Sequence, residues 1–203
     1  MRRAEQGDGA DRLELGWSPV RRRLIAKALG GVRRKVSASI RQYRPGDLER
    51  CRELWRSLTQ RHRDIYEDPT LGGADPGIEF DEHLKHPQLH RLWVAEFGHQ
   101  VLGFCGLLVR GEESELEPIV VDPRYRSRGI GALLAQQAIA ESRRLGVKYV
   151  NVRPVARNLE AIRFFHREGF RLLGRFELSI ALGGASPFGS TRTTEIERLT
   201  FEY

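Results

Sequence analysis

The apolar positions change period several times along the chain, and each change marks an element. Residues 39–43, Ser-Ile-Arg-Gln-Tyr, alternate like a strand. After Pro45-Gly46-Asp47 the apolar residues Leu48, Cys51, Leu54, Trp55 and Leu58 recur at helical spacing. Residues 60–78 read as a long polar connection, and 79–85 as a short helix ending before Pro87. Residues 91–97 and 100–110 are strand patterns around Gly98-His99, a hairpin signal. A further strand, 114–121, stops at Asp122-Pro123. The longest helical pattern, 129–145, carries Ala132, Leu133, Leu134, Ala135, Ala138 and Ile139. A strand at 147–153 follows, then a helix at 159–167 with Asn158 as its N-cap. Residues 170–182 form a long strand pattern, and a Gly/Ser/Pro loop at 183–190 leads to a last strand near 195–201. The order β-α-α-β-β-β-α-β-α-β-β predicts an α/β fold, a mixed sheet with helices on its faces.

Charge changes this picture at one end only. The formal net charge is +7, but residues 1–37 hold ten Lys and Arg against four Asp and Glu, so the body from 38 to 203 is nearly neutral. A body-wide nucleic-acid surface is therefore not implied, and no specific nucleic-acid partner is expected. In the extension, Ser18-Pro19 signals a helix start. Leu24, Ile25, Ala28, Leu29 and Val32 then recur beside Arg21, Arg22, Arg23 and Lys27. This reads either as a solvated tether or as a basic amphipathic helix that touches a membrane surface or an acidic partner. Its four acids argue against an organelle transit peptide. At 203 residues one domain is expected, with a proper core. No apolar run approaches the roughly 20 residues of a membrane span. Cys51 and Cys105 lie within helix and strand patterns and read as small buried residues of a reducing compartment, so a cytoplasmic location is expected. His83, His86 and His90 stand at helical spacing, but Pro87 interrupts them and no acid completes a site, so no metal is expected.

The candidate chemistry lies in residues 115–132. A strand, a basic loop Arg126-Ser127-Arg128-Gly129-Ile130-Gly131 and a helix start follow one another there. The first-turn N–H groups of a helix have no internal partners and sit at the positive end of its dipole, so this junction is an anion cradle. Glycines at 129 and 131 let backbone approach a ligand. Neither a Gly-x-x-x-x-Gly-Lys-Ser/Thr loop nor a Gly-x-Gly-x-x-Gly fingerprint is present, which disfavours the common nucleotide folds.

Two motifs sharpen the reading. Residues 121–131 read Val-x-Pro-x-x-Arg-x-x-Gly-x-Gly, and Asn158 to Phe170 read Asn-x-x-Ala-x-x-x-Phe-x-x-x-Gly-Phe. In this order, with a strand between them, they resemble the GCN5-related N-acetyltransferase (GNAT) superfamily over residues 38–203. The resemblance implies a mostly antiparallel central sheet and acetyl-CoA as co-substrate. It also implies roles for individual residues. Main-chain groups of Ile119, Val120 and Val121 would pair with the pantetheine arm like an added strand. Amides of Ser127, Arg128, Gly129, Ile130, Gly131 and Ala132 would hold the pyrophosphate. Asn158 would hydrogen-bond the cofactor near its thiol. Arg124, Arg126, Arg128 and Arg157 would neutralise phosphates. Pro118 cannot donate to a ladder and marks a bulge or edge there.

Acetyl transfer to an amine needs a deprotonated amine, N–H donors for the oxyanion and a departing thiolate. Val120 or Val121 would supply the polarising N–H. Period-2 geometry puts Glu115 and Glu117 on one strand face. Glu117, beside the bulge, is the first candidate base and Glu115 the second. At Phe165 the family often has a tyrosine that protonates the thiolate, and phenylalanine cannot do so. Tyr203, Tyr149, His166 or water could take the role, and no acid is assigned. The acceptor pocket would draw on the 60–78 segment, with His62, Asp64, Tyr66, Glu67 and Asp68 as polar groups for a cationic amine. The expected activity is therefore an acetyl-CoA-dependent N-acetyltransferase acting on a primary amine of a small molecule or protein. The alternative is a non-catalytic acetyl-CoA sensor or interaction module. A homodimer is compatible with either.

Overall fold

A computed structural model describes residues 37–180, 182 and 192–202. The expectations for residues 1–36 and for the 183–190 loop, and Tyr203 as a candidate acid, lie outside the described residues.

Five strands form the central sheet, in the order β1 (Ser39–Gln42), β2 (Leu89–Phe97), β3 (Gln100–Arg110), β4 (Glu113–Val121) and β5 (Tyr149–Asn151). The first four run antiparallel to their neighbours, and β5 is parallel to β4. Three helices cover the sheet, namely α1 (Leu48–Tyr66), α2 (Ile78–Leu84) and α3 (Ile130–Leu145), and α4 (Leu159–Arg167) adds to one face. Alternation along β2 and β3, shifted by one residue at a bulge around Leu102, decides which helix packs where. Trp93, Ala95, Leu102, Cys105 and Leu107 meet Ile130, Leu134, Ala135 and Ala138 of α3 and Phe165 of α4. Leu92, Val94, Val101 and Phe104 turn to the other side and meet Cys51 and Leu54 of α1 and Phe80 of α2. Both cysteines are buried free thiols, and burial pushes the Cys51 thiol up to about 12. Ser114 of β4 and Ser142 of α3 share a buried hydrogen bond of 2.8 Å, which satisfies two hydroxyls in the core.

Helix α1 runs to Tyr66, so the expected polar connection from residue 60 is helical for its first seven positions. Its polarity is that of a solvated helix face, and Gln60 Nε2 donates to Asp64 Oδ1 one turn on at 2.9 Å. The helix ends at Glu67, in the left-handed region with φ 57°. Arg63 then donates to the carbonyls of Leu71 and Gly73 and ties down the shorter loop.

The expected strand over 170–182 is not formed. Among the described residues that segment joins no ladder, and Leu172, Leu173, Phe176, Leu178 and Ile180 are exposed. Alternation gives a strand its faces but not its partner, and β5 offers a ladder of only three residues. The sixth strand is instead β6 (Thr193–Ile196), which pairs with β7 (Leu199–Glu202) in a separate two-stranded sheet. The expected single strand at 195–201 is thus the turn of a hairpin. Glu197 and Arg198 both have positive φ there, and neither letter signals such a turn.

Asp122 closes β4. It is 3% exposed and accepts from Arg50 Nη2 of α1 at 2.5 Å, from the Arg124 main-chain N–H at 2.9 Å and from Arg124 Nη2 at 2.7 Å. The Arg124 guanidinium, followed by its main-chain N–H and by Arg50, holds the carboxyl down at about 2. A depressed carboxyl stabilises the fold above its unfolded value, and that contribution is lost as pH falls through the folded value. Asp122→Asn is therefore expected to cost about 2 kcal/mol at neutral pH. It should also flatten the fall of melting temperature between about pH 4 and pH 2. A pH series of thermal melts reads both effects.

Candidate active site

Strand β4 opens where the sequence places its chemistry. Cys105 pairs with Ile119 and Leu107 with Leu116, so Gly106 alone stands opposite Glu117 and Pro118, a β-bulge. A Cβ at Gly106 would lie 2.3 Å from the Glu117 carbonyl oxygen, closer than any side chain tolerates, and glycine is required for the bulge to close against β3. On the other edge, pairing with β5 ends at Glu115 opposite Asn151. Ile119 to Val121 therefore have no strand beside them on that edge among the described residues. The N–H of Asp122 donates to the Leu102 carbonyl of β3. Period-2 alternation then turns the backbone of Val120 toward β3, and that of Ile119 and Val121 toward the open edge. The Val121 carbonyl there accepts from Arg126 Nε at 3.2 Å.

Beyond β4 the chain makes one 3-10 turn, Pro123–Tyr125, and enters α3 through Ser127 at φ 60° and Gly129 at φ 91°. No side chain caps α3. Its first amides are thus left to a ligand or solvent by helix geometry. A Cβ at Gly129 would meet nothing within 4 Å, so the space before the helix is open. Gly131 differs, because a Cβ there would press on the Phe164 ring of α4 at 3.3 Å. Its small size serves helix packing. Arg124 is committed to Asp122, and the Arg128 guanidinium lies 5.4 Å from the centre of the Tyr125 ring. Arg157, grouped with the phosphate-facing cations on the sequence, is buried with its guanidinium 5.7 Å from the Tyr66 ring centre.

Glu115 and Glu117 face the α1–α2 side, because Leu116 between them packs on the α3 side. Their surroundings differ. Glu115 is buried and ion-paired with Arg153, just past β5. Glu117 is more open, yet desolvation and the neighbouring charge of Glu115 raise its carboxyl above the ordinary range, against weaker opposing pulls from Arg153, His86 and Arg110. A carboxylate raised in this way holds a proton more readily than an ordinary glutamate, the direction that suits a general base.

His62, Asp64 and Tyr66 share the last turns of α1 rather than a loop. Burial and the charge of Arg61 lower the His62 imidazole, and burial raises the Tyr66 phenol. Asp64 is exposed and held by Gln60. Asn158 caps α4, its side-chain oxygen accepting from the Ala161 N–H at 3.1 Å. Phe165 is a core residue, packed edge-on against Phe170 at 5.6 Å. His166 and Tyr149 are exposed. Among the described residues no group of three His, Cys, Asp or Glu is arranged to hold a metal ion, and no helix is long and apolar enough to cross a membrane. His90 pairs with Glu141 at 2.9 Å, and His86 Nδ1 accepts from the Gln88 N–H at 3.2 Å. Gly106 escaped sequence reasoning, and His83 entered it only as a metal ligand that was set aside. Glycines at 103 and 106 inside a strand pattern were the available signal for a close approach.

A mostly antiparallel sheet, its β4–β5 ladder ended at Glu115 beside an uncapped helix start, defines a domain of acetyltransferase type. The sequence model of the acetyltransferase (GNAT) family matches residues 49–170, and the chain belongs to that family. It is 29% identical over 150 residues to N-alpha-acetyltransferase RimI of Mycobacterium tuberculosis, covering 72% of this chain and 86% of that protein. In fold it is similar to a GNAT-family acetyltransferase from Staphylococcus aureus, with a TM-score of 0.57, 22% identity, and 70% and 90% of the two chains covered. It is also similar to PaiA N-acetyltransferase from Thermoplasma acidophilum, solved in complex with coenzyme A, with a TM-score of 0.53, 18% identity, and 68% and 92% covered.

Proposed function

We propose that this protein transfers an acetyl group from acetyl-CoA to a primary amine, with Glu117 as the base. The observation that carries the reading is the junction of an open β4 edge with an uncapped α3 start. An extended pantetheine arm can pair with Ile119 and Val121, and the pyrophosphate can rest on the amides of residues 127–132. Arg126 and Arg128 flank that cradle. The N–H that polarises the thioester belongs to Val121 or Ile119 rather than Val120, whose backbone is turned to β3. The Asn158 side-chain oxygen is engaged in capping, so its NH₂ group is the donor it offers the cofactor. Glu117 removes the ammonium proton, directly or through water, and the amine then attacks the carbonyl carbon. Phe165 supplies no proton to the thiolate, which leaves with help from water or as the thiolate itself.

A protein N-terminus is the first acceptor to try, because the mycobacterial relative is named an N-alpha-acetyltransferase. An α-amine ionises near about 8, so a modest base suffices to free it. The test follows CoA release from acetyl-CoA with an alanine-initial peptide, an N-terminally blocked lysine peptide and small polyamines. Binding is measured alongside by calorimetry. Release with at least one amine supports the reading. Binding with no release on any amine favours a non-catalytic acetyl-CoA module. Gly129→Leu should abolish acetyl-CoA binding by filling the open space, while its positive φ costs the fold only about 1–2 kcal/mol in a thermal melt. Unchanged affinity in that variant would remove the cradle assignment.

A further inference from the structure

The buried imidazole of His83 has no role in the mechanism above. It lies on α2, 8% exposed, between the Trp55 ring, 5.4 Å away centre to centre, and Gly106 of β3. Its Nε2 is fully buried and has no protein hydrogen-bond partner. An imidazole nitrogen left this way loses its hydration without return, a loss that a bound water or ligand atom recovers. The direction in which it points is informative. A Cβ at Gly106 would lie 2.8 Å from His83 Nε2 and 2.3 Å from the Glu117 carbonyl oxygen. Those two atoms are thus within about 5 Å of each other, a separation that one water can bridge. The missing side chain of Gly106 lets the imidazole reach the bulge. Burial first, and then the nearby His86, lower the imidazole to about 4, so it stays neutral at physiological pH and does not repel an incoming ammonium.

We propose that His83 is a positioning residue that holds, through Nε2, an ordered water at the β4 bulge, and that this water carries the proton from the acceptor amine to Glu117. The inference rests on the reading of Glu117 as base. In the relay the amine N–H bond breaks as its proton passes to the water, and the water gives one of its own protons to the Glu117 carboxylate. The amine keeps the electron pair with which it attacks the thioester. His83 ends as it began, with no net proton gained.

The test compares the full-length chain with His83→Leu and His83→Gln, the second of which restores a hydrogen-bonding group near the Nε2 position. Acetyl-CoA with the most active amine of the panel above is the probe. His83→Leu should lower kcat by at least about tenfold. It should also move the acid limb of the kcat/KM profile to higher pH, because the proposed water, held between His83 Nε2 and the Glu117 carbonyl, would also solvate the Glu117 carboxylate. Acetyl-CoA affinity should not change. His83→Gln should recover most of the rate and the wild-type limb. A merely structural histidine would instead shift melting temperature in both variants and leave the pH limb in place. Wild-type kcat and pH profile in His83→Leu would overturn the relay alone. A wild type that turns over no amine would overturn the transferase reading and the relay with it. A crystal structure should also show one water within hydrogen-bond reach of Nε2, and a gap without water would overturn the proposal whatever the kinetics.

Discussion

Glu117→Gln is expected to lower kcat/KM for acetyl transfer by about 10²- to 10⁴-fold, the usual worth of a positioned general base. Acetyl-CoA affinity should be unchanged, since the carboxylate belongs to the acceptor side and not to the open backbone edge. As the proposed base, Glu117 would also set the pH dependence: it would work only when ionised, so kcat/KM should fall as pH drops through its pKa. Burial and Glu115 raise that pKa, so the acid limb should lie above that of an ordinary glutamate. Glu115→Gln should move the limb to lower pH. It removes the repelling charge and releases Arg153, whose charge favours ionised Glu117. Stability runs the other way. A carboxyl raised in the folded state binds its proton more tightly there than in the unfolded chain, so its stabilising contribution is present at low pH and is lost as pH rises through the folded value. Glu117→Gln should therefore melt slightly higher than wild type at neutral pH. Steady-state rates across pH, with melts of the same samples, check each expectation. A Glu117→Gln enzyme of near wild-type rate would remove the base assignment.

Gly106→Val should be the most damaging change of a small residue outside the 126–131 loop. Its Cβ would be driven to 2.3 Å from the Glu117 carbonyl, a main-chain atom that a rotamer change cannot move, and to 2.8 Å from the His83 ring. Strand β4 must then shift or the bulge must straighten. A loss of about 2–3 kcal/mol in urea unfolding is expected. Activity should fall further than stability explains, because the residue displaced is Glu117. Gly46→Ala is the control. A Cβ there meets nothing within 4 Å, and its φ is not in the left-handed region. It should leave both stability and rate close to wild type. If Gly106→Val behaved like the control, the packing of the bulge against β3 would be wrong.

Much of this site was legible in the letters, but unevenly. The β4–α3 junction could be read because each feature is local. Proline stops a strand, glycine permits φ 91° at residue 129, and a helix start leaves its own amides unpaired. Asn158 was legible as a cap for the same reason. Where a feature depended on a partner distant in sequence, the letters misled. The polar run from residue 60 looked like a loop because its helix face is solvated. The alternating segment 170–182 looked like a strand although it joins no ladder among the described residues. Arg157 was grouped with the phosphate-neutralising arginines and is buried against Tyr66.

The sequence by itself determined the element order as far as α4, the helices and strands with strong periods, and the position of the uncapped β4–α3 junction, since all follow from residue spacing and backbone chemistry within one segment. Only the tertiary structure decided that the ladder to β5 stops at Glu115, that Glu117 and not Glu115 keeps the freer carboxylate, and that His83 reaches the bulge across Gly106. Those facts are distances and electrostatic fields between residues far apart in the chain. They exist only once the sheet has paired and the helices have packed on its two faces.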